Sequence, residues 1–391
     1  MRIPGFTSTA SKRPEALFGA GAPRGLPVRF TRSAGARLWD EEGREYLDFV
    51  MALGAVGLGY GHPAVSRAAH AAVDAGVVGS LPPEAEERLA ERLAGLVPAM
   101  ERTRFLKTGA EAVAAAVRLA RTHTGRDGLL RCGYHGWHDW CQAPGAPGVP
   151  RAVTALVEEL PFNDPERARA LIRLLGDRLA AVVIEPVIEG PPSAEWLAVL
   201  RDETRRVGAL LVFDEIKTGF RVALGGAAER YGGEPDLVVL GKALANGFPL
   251  AAVGGRRAVM EDARRAWISS TLATELVALA AAEATLTVME GKQVPAHLGA
   301  VGRVLFDGLT ELALRYPLLL EGAAGLPEMC FLKYRSEETG IQLARRAAER
   351  GVLFKRSAYN FVSLAHDGGL VQRALGALAE SCEALANDHA D

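Results

Sequence analysis

The sequence predicts an α/β fold with a mostly parallel central sheet in a large domain and a smaller α+β domain. Three short segments, AAVVIEP, ALLVFDE and LVVLGK, are apolar on both faces and rich in β-branched residues, as buried parallel strands are. A helical pattern at residues 196–207 lies between two of them and supplies the crossover that parallel pairing requires. At 391 residues, the chain is long enough to favour two domains over one.

Turn residues divide the rest of the chain. Glu41-Glu42-Gly43 lies between two alternating apolar stretches in residues 35–65, which predicts a β-hairpin that leads into a glycine-rich loop. From about residue 294 onward helices dominate, and EMCFLKY, GVLF and FVSLA predict short strands. We therefore expect an N-terminal arm and hairpin that join the small domain, a large domain and a C-terminal small domain, in residues 1–50, 51–292 and 293–391 respectively.

Charge and hydropathy limit the function classes. The 45 basic residues nearly balance the 47 acidic ones, which gives no electrostatic support for a nucleic-acid partner or a membrane surface. The N-terminal residues lack the apolar stretch of a signal peptide, and no run approaches the length of a membrane span. The expectation is a cytoplasmic enzyme that acts on small molecules.

A capped helix follows the sequence KTGAEAV. Thr108 is the predicted N-cap residue, and Glu111 three residues later completes a capping box. The small residues Gly109 and Ala110 leave their N–H groups approachable at the positive end of the helix dipole. The first turn is thus a candidate phosphate site.

Polar side chains follow three of the predicted strands. Glu185, Asp214 and Lys242 each lie at or just after a strand end, and ligands of open α/β sheets bind beyond those carboxyl ends. An amine and a carboxylate at neighbouring strand ends suit a pyridine-containing aldehyde cofactor. The lysine forms a Schiff base with it, and the aspartate keeps the ring nitrogen protonated.

The segment CGYHGWHDWC contains residue types that zinc accepts, namely Cys132, His135, His138 and Cys141. Zinc ligands usually come in pairs from two separated segments, whereas these four lie within ten residues. We therefore predict no metal site, and interpret the segment as a loop around Tyr134. The four cysteines of the chain are also too few and scattered to form a disulfide framework.

Several motifs together resemble class III pyridoxal-phosphate aminotransferases. KTGAEAV, GYHGWHD, IEPV, DEIKTGFR and GKALANGFPLAAVGG occur in the order seen in that class. The IPG and SKRP start, ISSTLATE and YNFVSLAHD are most similar to the glutamate-1-semialdehyde aminomutase-like branch. The resemblance covers nearly the whole chain and implies the fold type I of pyridoxal-phosphate transferases, with pyridoxal 5'-phosphate as cofactor.

The resemblance also implies roles for individual residues. Lys242 is similar to the lysine that binds the cofactor, and Asp214 to the partner of the pyridine nitrogen. Ile216 and Tyr134 resemble the residues on the two faces of the ring. Thr108, Gly109 and Ala110 match the phosphate-binding turn. Thr271 resembles a residue that reaches the phosphate of a neighbouring subunit, which implies a homodimer with shared active sites.

Substrate contacts are less clearly indicated. Glu185 matches a glutamate whose role varies in the class, and Lys217 stands where relatives often carry Met or Gln. The late segment Asn360-Phe361-Val362-Ser363-Leu364 lacks the arginine that holds a second substrate carboxylate in many relatives. Candidates to hold a polar or acidic substrate are Ser11, Lys12 and Arg13 of the SKRP segment. Glu185 and Lys217 are further candidates for substrate contact.

These observations favour an aminotransferase that moves an amino group from a donor to a carbonyl-bearing small metabolite, through the pyridoxamine form of the cofactor. One alternative is an aminomutase, which shifts the amino group within one molecule. An alternative of another class is a non-catalytic protein that binds the cofactor or a metal, an interpretation that depends on CGYHGWHDWC.

Overall fold

The computed structural model describes residues 2–21 and 25–388. The chain divides into a small unit, Met1–His62 with Gln293–Asp391, and a large unit, Pro63–Lys292. The sequence places the first of these boundaries near residue 50. Within the described ranges, no helix is both long and apolar enough to cross a membrane.

The strands are defined in chain order. They are β1 (Phe30–Ala34), β2 (Arg37–Asp40), β3 (Glu45–Asp48), β4 (Arg102–Leu106), β5 (Gly128–Cys132), β6 (Val157–Glu159), β7 (Leu179–Ile184), β8 (Leu210–Asp214), β9 (Leu237–Leu240), β10 (Ala251–Gly255), β11 (Leu320–Leu326), β12 (Met329–Tyr334), β13 (Val352–Leu353) and β14 (Asn360–Phe361).

The α-helices are α1 (Pro14–Phe18), α2 (Met51–Gly54), α3 (Pro63–Asp74), α4 (Glu84–Leu96), α5 (Gly109–Thr124), α6 (Arg151–Thr154), α7 (Pro165–Leu175), α8 (Ala194–Val207), α9 (Gly226–Tyr231), α10 (Arg257–Met260), α11 (Leu276–Gly291), α12 (Val294–Arg315), α13 (Glu337–Glu349) and α14 (Gly368–Asp388). Short 3-10 helices are Ala10–Lys12, Asp139–Cys141, Gly176–Arg178, Lys242–Ala245 and Glu261–Arg264.

The small unit contains two sheets. One has the strand order β1-β2-β3-β13 and the other the order β11-β12-β14. The predicted turn at Glu41-Glu42-Gly43 joins β2 to β3, which pair in antiparallel fashion. Asp40 holds this turn because its Oδ1 accepts hydrogen bonds from the N–H groups of Glu42 (3.0 Å) and Arg44 (2.9 Å).

The large unit is built on a sheet of order β4-β10-β9-β8-β7-β5-β6. The strands from β9 through β6 pair in parallel, whereas β10 is antiparallel to both of its neighbours. Strands β7, β8 and β9 are buried throughout, as their apolar sequences predict. The predicted crossover helix is α8, which connects β7 to β8 and begins at the N-cap residue Ser193. The mostly parallel α/β fold predicted from the sequence is confirmed.

Two apolar clusters cover the faces of this sheet. One contains α5 residues such as Val113 and Leu119, and the other contains Ile172 and Trp196 from α7 and α8. Because the clusters fix the strands on both faces, the loops at their carboxyl ends extend from a rigid base. Strands β4, β5, β7, β8 and β9 all run in one direction, so the loops after them meet at one edge.

Candidate active site

Asp214 is the last residue of β8 and is paired with a histidine from another strand end. Its Oδ2 lies 2.8 Å from Nδ1 of His135, which follows β5, and both side chains are buried. Since a carboxylate only accepts, we assign the proton of this hydrogen bond to Nδ1. Asp214 Oδ1 accepts from the N–H of Ile216 at 3.2 Å. These two donors leave lone pairs of the carboxylate for a further cationic N–H, as a pyridinium would offer.

The loop after β8 lies against the first turn of α5. A Cβ on Gly109 would lie 2.6 Å from Cδ1 of Ile216, so a larger residue at this position would have to displace the Ile216 side chain. Gly136, from the loop after β5, has φ +98°, and a Cβ there would lie 2.6 Å from Cβ of Ala110. Two glycines thus bring three loops together around the start of α5.

The start of α5 carries the predicted capping box. The N–H of Glu111 donates to Thr108 Oγ1 (3.3 Å), and the N–H of Thr108 donates to Glu111 Oε2 (2.8 Å). The Thr108 hydroxyl also lies 3.1 Å from the same carboxylate oxygen. The N–H groups of Gly109 and Ala110 make no hydrogen bond within the described chain, as at most helix starts. They are the groups at this turn that are available to an anion.

A buried ion pair borders this turn. Lys107 Nζ lies 2.7 Å from Oε1 of Glu275, and both side chains are largely buried. The Glu275 carboxylate also caps α11, because it accepts from the N–H groups of Val277 (2.7 Å) and Ala278 (3.0 Å). The first turn of α5 is therefore tied to the start of α11 and to the loop that precedes it.

Lys242 begins a short 3-10 helix after β9 and has the left-handed φ of +44°, which is uncommon for a residue with a side chain. The pKa of its amine is lowered to about 8, chiefly by burial and next by the positive charge of Lys217, while Glu185 and Asp214 act in the opposite direction. The amine makes no ion pair within the described chain. A lysine with these properties has a larger neutral, nucleophilic fraction near pH 7 than an exposed lysine.

Glu185 and Lys217 form an ion pair at the same edge of the sheet. Lys217 Nζ lies 3.0 Å from Glu185 Oε1, and each side chain is only 10% exposed. The second oxygen, Oε2, accepts from the N–H of Tyr134 at 2.9 Å. The sequence names both residues as candidates for substrate contact but does not predict this pair.

Tyr134 and Thr271 are both exposed. The Tyr134 side chain is 71% exposed, so it is not a core tyrosine and its ring is accessible to a ligand. Thr271 lies in an exposed loop before α11. In the described residues, no group of three His, Cys, Asp or Glu side chains has an arrangement that could hold a metal.

The remaining substrate candidates belong to the small unit. Ser11 and Lys12 lie in the 3-10 helix Ala10–Lys12, and exposed Arg13 precedes α1. Asn360, in the segment that lacks the arginine, is buried. Its Oδ1 accepts from the N–H of Lys355 (2.6 Å), and its Nδ2 donates to the carbonyl of Lys355 (3.0 Å). Asn360 therefore holds the backbone of the small unit in place, and the roles of Ser11, Lys12 and Arg13 stay predictions.

His135 is the residue that the sequence reasoning missed. The sequence places it only in a loop around Tyr134 and among four residues of types that bind zinc. The available signal is that His135 closely follows the end of a strand, β5, as Asp214 ends another, β8. In the sheet, however, β7 lies between β5 and β8. A single sequence does not give that strand order, so the contact with Asp214 was not predictable.

The fold and the site define a class of enzyme that holds a pyridine cofactor at the carboxyl ends of parallel strands. The family model of class-III aminotransferases matches residues 20–367, and the chain belongs to that family. The protein is therefore an aminotransferase-family enzyme of fold type I, and its cofactor is pyridoxal 5'-phosphate, as the sequence predicts. The Asp214 lone pairs, the approachable start of α5 and the Lys242 amine fit that cofactor.

Named relatives agree with this membership. A glutamate-1-semialdehyde 2,1-aminomutase of Pyrobaculum calidifontis is 35% identical over 90% of this chain and 87% of the relative. The FumI protein of Sphingopyxis sp. MTA144 is 29% identical with a TM-score of 0.91, over 100% of this chain and 95% of its own. A β-phenylalanine aminotransferase of Variovorax paradoxus is 28% identical with a TM-score of 0.83, over 97% and 90%. The predicted resemblance to the aminomutase-like class III enzymes is confirmed.

Proposed function

We propose that this enzyme transfers an amino group between an amino donor and a carbonyl-bearing small metabolite, with Lys242 and Asp214 as the catalytic residues. The observation that carries the proposal is the site at the ends of β8 and β9. A buried carboxylate, fixed by His135 at 2.8 Å, lies at one strand end, and a lysine with a lowered pKa follows the neighbouring one.

Each residue has a role that follows from its surroundings. Pyridoxal phosphate, when bound, supplies a protonated pyridine ring that withdraws electrons from the substrate. Asp214 accepts the ring N–H, and His135 keeps the carboxylate oriented toward it. Lys242 provides the amine that holds the cofactor aldehyde and that afterwards moves a proton at the substrate carbon. Ile216 and Tyr134 flank the ring.

The start of α5 holds the phosphate in this proposal. Gly109 and Ala110 supply N–H groups, whereas the hydroxyl and N–H of Thr108 already face Glu111. Thr108 therefore acts mainly by fixing the turn, because its two donors are directed to Glu111. Two N–H donors from a single helix turn leave some phosphate oxygens without a hydrogen-bond donor.

A second copy of the chain completes the phosphate site through Thr271, and this makes a homodimer part of the proposal. Large apolar side chains are exposed on loops of the large unit, as expected of surfaces that associate. Tyr134, Trp137, Trp267 and Leu272 are between 54% and 83% exposed. A cytoplasmic location is included in the proposal on the basis of the sequence composition.

An aminomutase is the second candidate. The aminomutase relative at 35% identity and the missing late arginine both favour it, because an enzyme that uses glutamate as donor needs to hold a second carboxylate. Its amino group would stay within one molecule, without net consumption of a separate donor. Both candidates use the same site and differ in whether the intermediate is retained.

The test is a screen of amino donors against the purified holoenzyme. Donors that bleach the cofactor absorption and release a keto product, identified by mass spectrometry, support the aminotransferase. Isomerisation of an amino-aldehyde with no released keto product supports the aminomutase. Borohydride reduction and peptide mapping should place the cofactor on Lys242, and Lys242→Ala should abolish the adduct and turnover. A reduced adduct on any other lysine would refute the site.

A further inference from the structure

Lys107 directly precedes the N-cap residue of α5 and is held at both its backbone and its side chain. Its N–H donates to Oε2 of Glu111 at 3.1 Å, the same oxygen that accepts from the N–H of Thr108 at 2.8 Å. Its amine lies 2.7 Å from Oε1 of Glu275, and the two side chains are only 15% and 12% exposed. Water therefore screens this ion pair less than it screens an exposed one. Lys107 thus connects the capping box of α5 to a distant part of the chain.

Glu275 is a fixed anchor for this amine. Its carboxylate accepts two N–H groups in the first turn of α11, at 2.7 and 3.0 Å. The N–H of the next residue, Leu276, donates to the carbonyl of Val77 at 2.8 Å. The Lys107 amine therefore meets a carboxylate whose position is already set by other parts of the large unit.

The first turn of α5 follows an edge strand. Among the described strands, β4 lies at one end of its sheet and pairs only with β10, whereas β8 and β9 each lie between two strands. The hydrogen bonds of a single neighbour therefore position the end of β4. The Lys107–Glu275 pair supplies a further attachment, directly before the N–H groups that an anion would meet.

We propose that Lys107 and Glu275 are positioning residues: their ion pair fixes the first turn of α5, so that the N–H groups of Gly109 and Ala110 are preoriented for the phosphate of the cofactor. The proposal rests on the phosphate site of the proposed function. Lys107 acts through the turn and not as a phosphate ligand, because Glu275 occupies its amine and offsets its charge. A turn that is already fixed loses less freedom on binding, so the ion pair raises the affinity for phosphate.

The test compares two aldehydes that differ in the phosphate. Cofactor-free full-length protein is titrated with pyridoxal phosphate and with pyridoxal, and the absorption of the bound aldehyde gives each affinity. Lys107→Met should weaken the binding of pyridoxal phosphate by about tenfold, the weight of one hydrogen bond to a charged group. The affinity for pyridoxal should change by less than about twofold, because pyridoxal does not use the turn.

Two further variants separate the ion pair from its members. Glu275→Ser keeps an N-cap residue for α11 but is too short to reach Lys107, and it should give the same selective loss. The double variant of Lys107→Met and Glu275→Ser should lose no more than either single variant, because each single change already breaks the pair.

Arg92→Met is the matched control. Arg92 Nη1 lies 2.7 Å from Oε2 of Glu283 in α11, in a partly buried ion pair, but Arg92 belongs to α4 and not to the turn. This variant should lower thermal stability without changing the ratio of the two affinities. A purely structural effect would lower both affinities together.

An unchanged ratio of the two affinities in Lys107→Met would overturn the proposal, whether both affinities fall or neither does. Tighter binding of pyridoxal phosphate by Glu275→Ser would also overturn it, because the freed Lys107 amine would then attract the phosphate directly. If Glu275→Ser does not fold, Lys107→Met and the double variant decide the question. A parent protein that binds both aldehydes equally would refute the phosphate site together with the proposal. Failure of the proposed function is distinguishable, because the borohydride map would then place the cofactor on a lysine other than Lys242.

Discussion

Nδ1 of His135 and Oδ2 of Asp214 lie 2.8 Å apart in a buried pair that joins the ends of two strands separated by a third. The imidazole donates to Oδ2 of the carboxylate and so fixes the orientation of the whole carboxylate group, including Oδ1. A cofactor nitrogen that meets this carboxylate would therefore find it preoriented, which is how a remote residue influences a catalytic group.

The first prediction concerns this pair. His135→Ala removes a hydrogen bond to a charged acceptor, whose loss is on the order of 1.5–3 kcal/mol, or about 10- to 100-fold in kcat. Cofactor absorption and stopped-assay rates measure the effect. Asp214→Asn should keep some cofactor but lose most activity, because a neutral pyridine withdraws electrons poorly.

The control is His138→Gln in the same loop. The His138 ring packs edge-on against Trp137, with 5.0 Å between ring centroids, and we expect turnover near that of the parent. Turnover in His135→Ala that matches His138→Gln would contradict the role of His135. Near-normal turnover in Asp214→Asn would count against the assignment of Asp214.

The second prediction is that Lys242, the proposed catalytic lysine, destabilises the cofactor-free fold. The pKa of Lys242 is lowered from 10.5 to about 8, so the unfolded chain binds this proton more tightly than the folded chain. The resulting decrease in the free energy of unfolding is fully present below pH 8 and disappears as the pH rises toward 10.5. Lys242→Met should therefore raise the free energy of unfolding at pH 7, on the order of 1–3 kcal/mol.

Thermal unfolding of the cofactor-free chain at several pH values measures this gain. The gain should shrink as the pH approaches 10, since the folded and unfolded lysine then carry less charge. Lys292→Met, at an exposed position, should give no comparable gain. A stability gain in Lys242→Met that does not depend on pH would point to packing rather than to the charge.

Sequence reasoning predicted the residues that follow strands but not the pairs that they form. Asp214 and Lys242 were predictable because each lies at or just after the end of a continuous apolar strand, and ligands bind at such ends. The His135–Asp214 and Lys217–Glu185 contacts depend on strand order and side-chain direction, which periodicity does not encode. The antiparallel direction of β10 was unpredictable for the same reason, because its buried segment AAVGG carries no signal of strand direction.

The third prediction tests the close approach of two loops at the proposed phosphate-binding turn. Gly136→Ala places a Cβ 2.6 Å from Cβ of Ala110, which cannot rotate away, and it also strains a residue with φ +98°. The turn must shift, so affinity for pyridoxal phosphate should fall by about tenfold or more. Titration of the cofactor-free protein with pyridoxal phosphate measures the affinity.

Gly145→Ala provides the matched control. Gly145 has a similar φ of +83°, but a Cβ there meets no atom of the described chain within 4 Å. It carries the backbone strain without the contact, and we expect little change in cofactor affinity. Equal losses in the two variants would show that strain in the loop, rather than contact with Ala110, limits binding.

The fourth prediction is that chains with different defects complement each other. Lys242→Ala lacks the catalytic amine, and Thr271→Asp brings a negative charge toward the phosphate of the other copy. After the two chains are mixed and reassembled in equal amounts, half of the dimers are hybrids with one intact site each. About a quarter of the parental activity should return.

Each variant reassembled with itself gives the baseline, which should stay near zero. Sedimentation at the assay concentration reports the oligomeric state independently. A fully active monomer, or a mixture no more active than the separate variants, would rule out shared sites.

The fifth prediction concerns substrate selection by the N-terminal arm. Arg13 is exposed, and its guanidinium packs closely over Gly5, which has a φ of +68°. The positive charge of neighbouring Lys12 acts on Asp48, a fully buried carboxyl whose pKa is raised chiefly by burial. The two cations are therefore not equivalent, since Lys12 interacts electrostatically with its own unit and Arg13 presents a planar group that suits a carboxylate.

Arg13→Ala should raise the KM for acidic substrates by about 10- to 100-fold, on the order of 1.5–3 kcal/mol for a lost charged hydrogen bond. Cofactor absorption should stay intact, because Arg13 is not among the residues proposed to bind the cofactor. Arg2→Ala removes another exposed arginine of the arm and serves as control. Unchanged kinetics in an Arg13→Ala, Lys12→Ala double variant would move substrate selection to the loop after Glu185 or to Lys217.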